Sequence, residues 1–147
     1  MCLIFLCINP GEMRILMSSY LNPDPGCDIR DISALGLAHV GDAVYELMVR
    51  TWLCTTGSST AKQLHGGAVG LVSAKAQAEA AERIAPDLRE DEAAVFRRGR
   101  NAHVSSIPKG ATYEDYHAAT GIETLFGYLY LSSRQERLDE LFDIIVR

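Results

Sequence analysis

The sequence predicts an all-α fold, a helical bundle in one domain. Three observations carry that prediction. Apolar residues recur every three to four positions after residue 30, turn-forming Gly, Pro and Thr clusters divide those stretches, and no segment alternates apolar and polar residues as a half-buried strand would. The chain has 147 residues, 48% hydrophobic and 22% charged, which suits one globular domain with a sizeable core rather than a disordered segment.

Residues 1–30 read as an irregular N-terminal extension, punctuated by Asn22-Pro23-Asp24-Pro25-Gly26, and residues 31–147 as the domain proper. The opening MCLIFLCI has the apolar core of a signal peptide, but no basic stretch precedes it, Asn9-Pro10-Gly11 interrupts it and no small-x-small cleavage site follows. Met13 and Met17 leave open a later translation start, and with it whether residues 1–16 are native. No apolar run reaches the roughly 20 residues that span a bilayer, so no membrane association is expected. Cysteines at 2, 7, 27 and 54 form neither a C-x-x-C pair nor a zinc-type spacing, which points to reduced thiols and a cytoplasmic location.

A first helix is predicted from about Ser33 to Leu53, with Asp31 or Ser33 as N-cap and Thr55-Thr56-Gly57 as its stop. A short helix follows over 60–64, then a longer Ala-rich one over 68–85 closed by Pro86. The next spans about 89–98. Residues 99–110, with two Gly and a Pro, read as a loop. Helices over 112–131 and 134–146 complete the chain, the last with Leu138, Leu141, Phe142 and Ile145 at helical spacing.

Within the first helix, positions 35, 38, 42, 45 and 49 share a face, so Leu35, Ala38, Tyr45 and Val49 form an apolar stripe interrupted by Asp42. A lone acid on such a stripe is ordinarily solvated at a half-buried edge. If buried, it needs a proton, a cationic partner or a metal. A second acid shifts the balance: the face through Glu123 carries Tyr116, Ala119, Phe126, Gly127 and Tyr130. Should the two helices meet, the acids suit a hard divalent cation such as Mg²⁺, which accepts one or two carboxylates and completes its octahedron with water and phosphate.

The runs LGLAHVGDAVYELMVR, VSAKAQAEA, RRGRNA, PK and ATGIETLFGYLYL occur in this order between residues 33 and 146. Together they resemble the Mini-ribonuclease III family, the ribonuclease III catalytic domain without a double-stranded-RNA-binding domain. The resemblance implies an all-helical homodimer that cuts double-stranded RNA with Mg²⁺, leaving 5′-phosphate and 3′-hydroxyl ends, with the precursor of large-subunit (23S) ribosomal RNA as the characteristic substrate. It implies that Asp42 and Glu123 are the metal ligands and catalytic acids. Full-length ribonuclease III enzymes have further acids where this chain has Leu35, Ala38 and Thr120. Mini-ribonuclease III sequences share that poverty, which leaves the metal count open.

The remaining charges divide into solvated faces and one basic cluster. Glu46, one turn from both Asp42 and Arg50, leans to an i,i+4 ion pair over a role behind the metal ligands. Glu79 with Glu82, and Asp139, Glu140 and Asp143, read as solvated helix faces. His39, His65, His103 and His117 show no metal spacing. The formal net charge of −5 gives no general case for nucleic-acid binding, but Arg97, Arg98, Arg100 and Lys109 share a window without acids. Basic residues favour helix C-termini on their own account. Under the resemblance they become RNA-backbone contacts, with Asn101 adding a hydrogen bond. Ser73, Lys75 and Gln77 stay open between helix packing and RNA contact, and Gly66-Gly67 is less basic than the resemblance leads one to expect. The alternative class is a non-catalytic helical RNA-binding or ribosome-associated module. A helical nucleotide pyrophosphohydrolase would need facing E-x-x-E and E-x-x-D motifs, which are not found.

Overall fold

The structure, a computed structural model, describes residues 21, 23, 26, 28–57, 60–103, 107 and 110–147. Among them the order is α1 (Ala34–Thr55), α2 (Ala61–Val72), α3 (Ala74–Ile84), α4 (Glu90–Arg100), α5 (Tyr113–Leu131) and α6 (Gln135–Val146), with 3-10 turns at Ile29–Asp31 and Ala85–Asp87 and no strand. The all-α expectation holds. No helix of the described residues is long and apolar enough to cross a membrane.

Local chemistry sets the helix ends. Ser33, not Asp31, caps α1, its hydroxyl accepting from the Gly36 N–H at 3.0 Å. Thr60 caps α2 in a reciprocal box with Gln63. The expected division into helices over 60–64 and 68–85 is corrected: α2 runs unbroken to Val72 through Gly66 and Gly67, and the break falls at Ser73. Ser73 is extended and its hydroxyl accepts from the Ala76 N–H, so it ends one helix and starts the next. Helix α4 likewise continues to Arg100, so Gly99 is helical rather than the start of a loop.

α5 is the central helix. It is buried on nearly every side, through Ala119, Thr120, Gly121, Ile122, Thr124, Leu125, Phe126, Gly127 and Leu129, and α1, α3, α4 and α6 pack around it. The core combines Tyr45, Val49 and Leu53 of α1 and Ile84 of α3 with Ile122, Leu125, Phe126 and Leu129 of α5 and Leu138, Leu141, Phe142 and Ile145 of α6. The Tyr45 ring stands edge-on to Phe126 with centroids 5.2 Å apart.

Two contacts fix the frame. Glu92 is fully buried in the first turn of α4 and accepts hydrogen bonds from the Arg89 N–H and from Arg137 Nε and Nη2 of α6, each at 2.9 Å. Burial works to raise its carboxyl, but the Arg137 hydrogen bonds and the Arg89 N–H outweigh it and hold the acid below its ordinary range. Arg137 also donates to the Asp87 carbonyl at 2.7 Å, tying the turn before α4 to α6.

The second contact is a close crossing of α1 and α5. A Cβ on Gly41 would overlap the Glu123 carbonyl and lie 2.6 Å from the Gly127 nitrogen, while one on Gly127 would overlap the Leu37 carbonyl. Glycine at both positions lets the two backbones touch.

Candidate active site

That crossing builds the acid pair. The buried line on α1 runs through Leu37, Ala38, Gly41, Tyr45, Val49 and Leu53: Ala38, Tyr45 and Val49 of the expected stripe lie in it, Gly41 stands in it where Asp42 was expected, and Leu35 is 45% exposed. The contact line follows Gly41 because only a hydrogen fits against the Glu123 carbonyl. Asp42, about 100° further round the helix, therefore lies exposed at the rim instead of within the stripe. Glu123 is half-buried on α5, and the charge of Asp42 acts on it directly. The two acids expected from sequence are thus brought together.

Glu123 is the electrostatically perturbed member. Burial, then the Asp42 charge, pushes its carboxyl up to about 7, while a hydrogen bond from the Gln77 side chain works the other way. Among the described residues no third His, Cys, Asp or Glu completes a metal-binding group. Two carboxylates, one facing solvent, fit an ion that takes one or two acidic ligands and fills its other positions with water and phosphate oxygen. Glu46, as expected, pairs with Arg50 at 2.5 Å on the exposed side of α1. Glu79, Glu82, Asp139, Glu140 and Asp143 are exposed, Glu140 pairing with Arg137 and Asp143 with Arg147.

The basic residues lie on the last turn of α4. Arg97, Arg100 and Asn101 are exposed there, and Lys109 and most of its loop lie outside the described residues. Arg98 is engaged differently: its guanidinium donates to the carbonyls of Ile32 at 2.9 Å and Arg30 at 3.4 Å, bracing the segment before α1. The end of α4 is held by buried His117, whose Nδ1–H donates to the Arg100 carbonyl at 2.6 Å.

Comparison with known proteins gives the family of the chain. Residues 35–134 match the Ribonuclease III domain family. A Mini-ribonuclease 3 of Clostridium tetani is 39% identical, covering 81% of this chain and 80% of its own. One of Brevibacillus brevis is 47% identical over 73% of this chain and 80% of its own. The chain belongs to the Mini-ribonuclease III family. The crystal structure of a Fusobacterium nucleatum protein superimposes with a TM-score of 0.75 at 31% identity, covering 82% of this chain and 98% of that one.

The structure also shows what fills the positions without acids. Ala38 and Thr120 are buried in the packing around the crossing, and the Thr120 hydroxyl donates to the Tyr116 carbonyl at 2.9 Å. Sequence reasoning missed two polar residues. Gln77 was open between packing and RNA contact, and it is 1% exposed on the inner face of α3. Glu92 lies in the acidic first turn of α4 beside Glu90 and Asp91, yet it is fully buried. For both, the available signal was helical register with buried neighbours: Gln77 with Ala80, Ala81 and Ile84, Glu92 with Phe96 and Gly99.

Proposed function

We propose that this chain is a Mg²⁺-dependent endoribonuclease that cuts double-stranded RNA at the Asp42 and Glu123 carboxylates. The observation that carries the reading is the crossing at Gly41 and Gly127, which sets an exposed acid beside a half-buried one at the protein surface. Asp42 offers its oxygens to solvent, where a phosphate of the duplex can approach. Glu123 has to shed the proton that burial and Asp42 favour before both acids can serve as ligands. Asp42 and Glu123 would hold a divalent cation, which when bound would supply the charge that activates water for in-line attack on phosphorus and neutralises the leaving oxygen. Gly41 and Gly127 keep the acids at fixed separation, so the site is organised before RNA arrives.

Arg97, Arg100 and Asn101 at the end of α4 provide phosphate contacts without reading bases, consistent with recognition of A-form shape. Lys109 joins them in this reading. The enzyme acts in the cytoplasm as a homodimer, each subunit cutting one strand, and its substrate is the precursor of large-subunit ribosomal RNA. Family membership supports this reading, as does the exposed Leu35 and Leu47 on α1, which leave apolar surface for a second copy. Residues 31–147 form the catalytic unit, and residues 1–30 are an extension to it.

The test incubates the protein with a perfect RNA duplex and a DNA duplex of the same sequence, each with Mg²⁺ or EDTA. Cleavage of RNA in Mg²⁺ alone, giving 5′-phosphate ends, is the expected result. Binding of the RNA duplex with cleavage of neither would make the chain a non-catalytic RNA-binding module instead.

A further inference from the structure

We infer that Gln77 is a positioning residue for the acid pair: carried inward by α3, its side-chain amide holds the Glu123 carboxylate in the orientation that faces Asp42. The inference rests on the reading of Asp42 and Glu123 as the metal-holding acids.

The inner face of α3 consists of Gln77, Ala80, Ala81 and Ile84, and it lies against α5. Three of these are apolar residues that pack without polar demands. The fourth is a glutamine only 1% exposed. A leucine would fill similar space, whereas glutamine brings two donors and an acceptor that need partners once water is excluded. Glu123 meets part of that need, since the Gln77 side chain hydrogen-bonds to its carboxylate.

The small residues explain the reach. Ala80 and Ala81, buried at 2% and 6% exposure, let α3 lie close to α5. The break at Ser73 starts α3 afresh and sets the register that turns residue 77 inward. The chemistry of the donor matters as well. A Lys or Arg in this place would neutralise Glu123 and compete with a cation. A neutral amide fixes one carboxylate oxygen and leaves the charge available. Gln77 therefore orients a ligand without touching substrate.

The test compares Gln77→Leu with wild type and with Glu123→Gln. Four quantities are read: melting temperature in EDTA, Mn²⁺ affinity of the RNA-free protein by calorimetry, the Mg²⁺ concentration giving half-maximal cleavage, and kcat against KM for an RNA duplex. Groups that orient metal ligands change metal affinity or activity by about 10- to 100-fold when removed. Gln77→Leu is expected to keep its melting temperature and its KM while Mn²⁺ affinity falls and the Mg²⁺ midpoint rises by about that factor.

An unchanged metal affinity and midpoint, with Glu123→Gln inactive, would overturn the role of Gln77 and leave the acid pair standing. Full cleavage by Glu123→Gln would instead overturn the acid-pair reading itself. Gln77→Met, unbranched and of similar length, repeats the test if the leucine variant does not fold. Failure of both to fold would make Gln77 a structural residue and refute the assignment.

Discussion

Replacing Glu123 by Gln should stabilise the metal-free protein above neutral pH, and the size of the gain follows from the site. Burial and the neighbouring Asp42 lift the Glu123 carboxyl from 4.5 to about 7. Its folded-state proton affinity is therefore higher than in the unfolded chain. Between about pH 4.5 and about 7 the folded protein keeps this proton while the unfolded chain gives it up, so stability falls as pH rises through that window and levels off above it. A tenfold change in proton affinity is worth roughly 1.4 kcal/mol, which puts the full penalty at no more than about 3.5 kcal/mol. Glu123 is only half-buried, and solvent screening brings the expected penalty to about 1–2 kcal/mol. The amide removes the ionisation, so Glu123→Gln in EDTA should melt several degrees above wild type at pH 8 and level with it near pH 4.5. Circular dichroism melts across pH check this. Mg²⁺ should then raise the melting temperature of wild type alone, because only its acids bind the ion. A variant less stable than wild type at pH 8, or a gap independent of pH, would refute the electrostatic account of the pair.

Gly41→Ala should lower stability by about 1–3 kcal/mol in thermal melts and cut activity more than stability, because its Cβ meets Glu123 and Gly127 backbone and must force the acids apart. Glu92→Gln should cost about 1–3 kcal/mol in urea unfolding, since it removes the buried charge of the Arg137 pair and leaves the guanidinium only the exposed Glu140 as anionic partner. Arg97→Gln with Arg100→Gln should weaken RNA binding and make its salt dependence shallower in filter-binding assays. Arg98→Gln should instead loosen the segment before α1, read as faster amide exchange at Ile32 and Ser33, because its donors already serve the Arg30 and Ile32 carbonyls.

Much of this was legible in the sequence because it rests on local rules. Helical periodicity with Ser33 and Pro86 gave the helices, and the acids at 42 and 123 stood out against apolar neighbours. What escaped depends on contacts distant in sequence. Ala38, Tyr45 and Val49 are buried as their spacing predicts, but Asp42 falls outside that line in favour of Gly41, because the clash that selects a glycine is with α5, more than eighty residues away. Ser73 as a break was hidden by the helix-favouring alanines after it, whose propensity is continuous through the residue that caps them. The burial of Glu92 has no local sign, since acids are common in the first turn of a helix, and only the approach of Arg137 from α6 compensates it. Arg98 and Arg100 are alike by sequence, and the carbonyls before α1 are what separate a brace from a free cation.

The central claim is that Asp42 and Glu123 together hold the ion that cuts RNA. Its most direct test measures cleavage and binding of one RNA duplex in Mg²⁺ by Asp42→Asn and Glu123→Gln, amides that keep shape and remove the ligand charge. The account predicts that each variant loses nearly all cleavage while its affinity for the duplex stays close to that of wild type. Normal cleavage by either variant would contradict it.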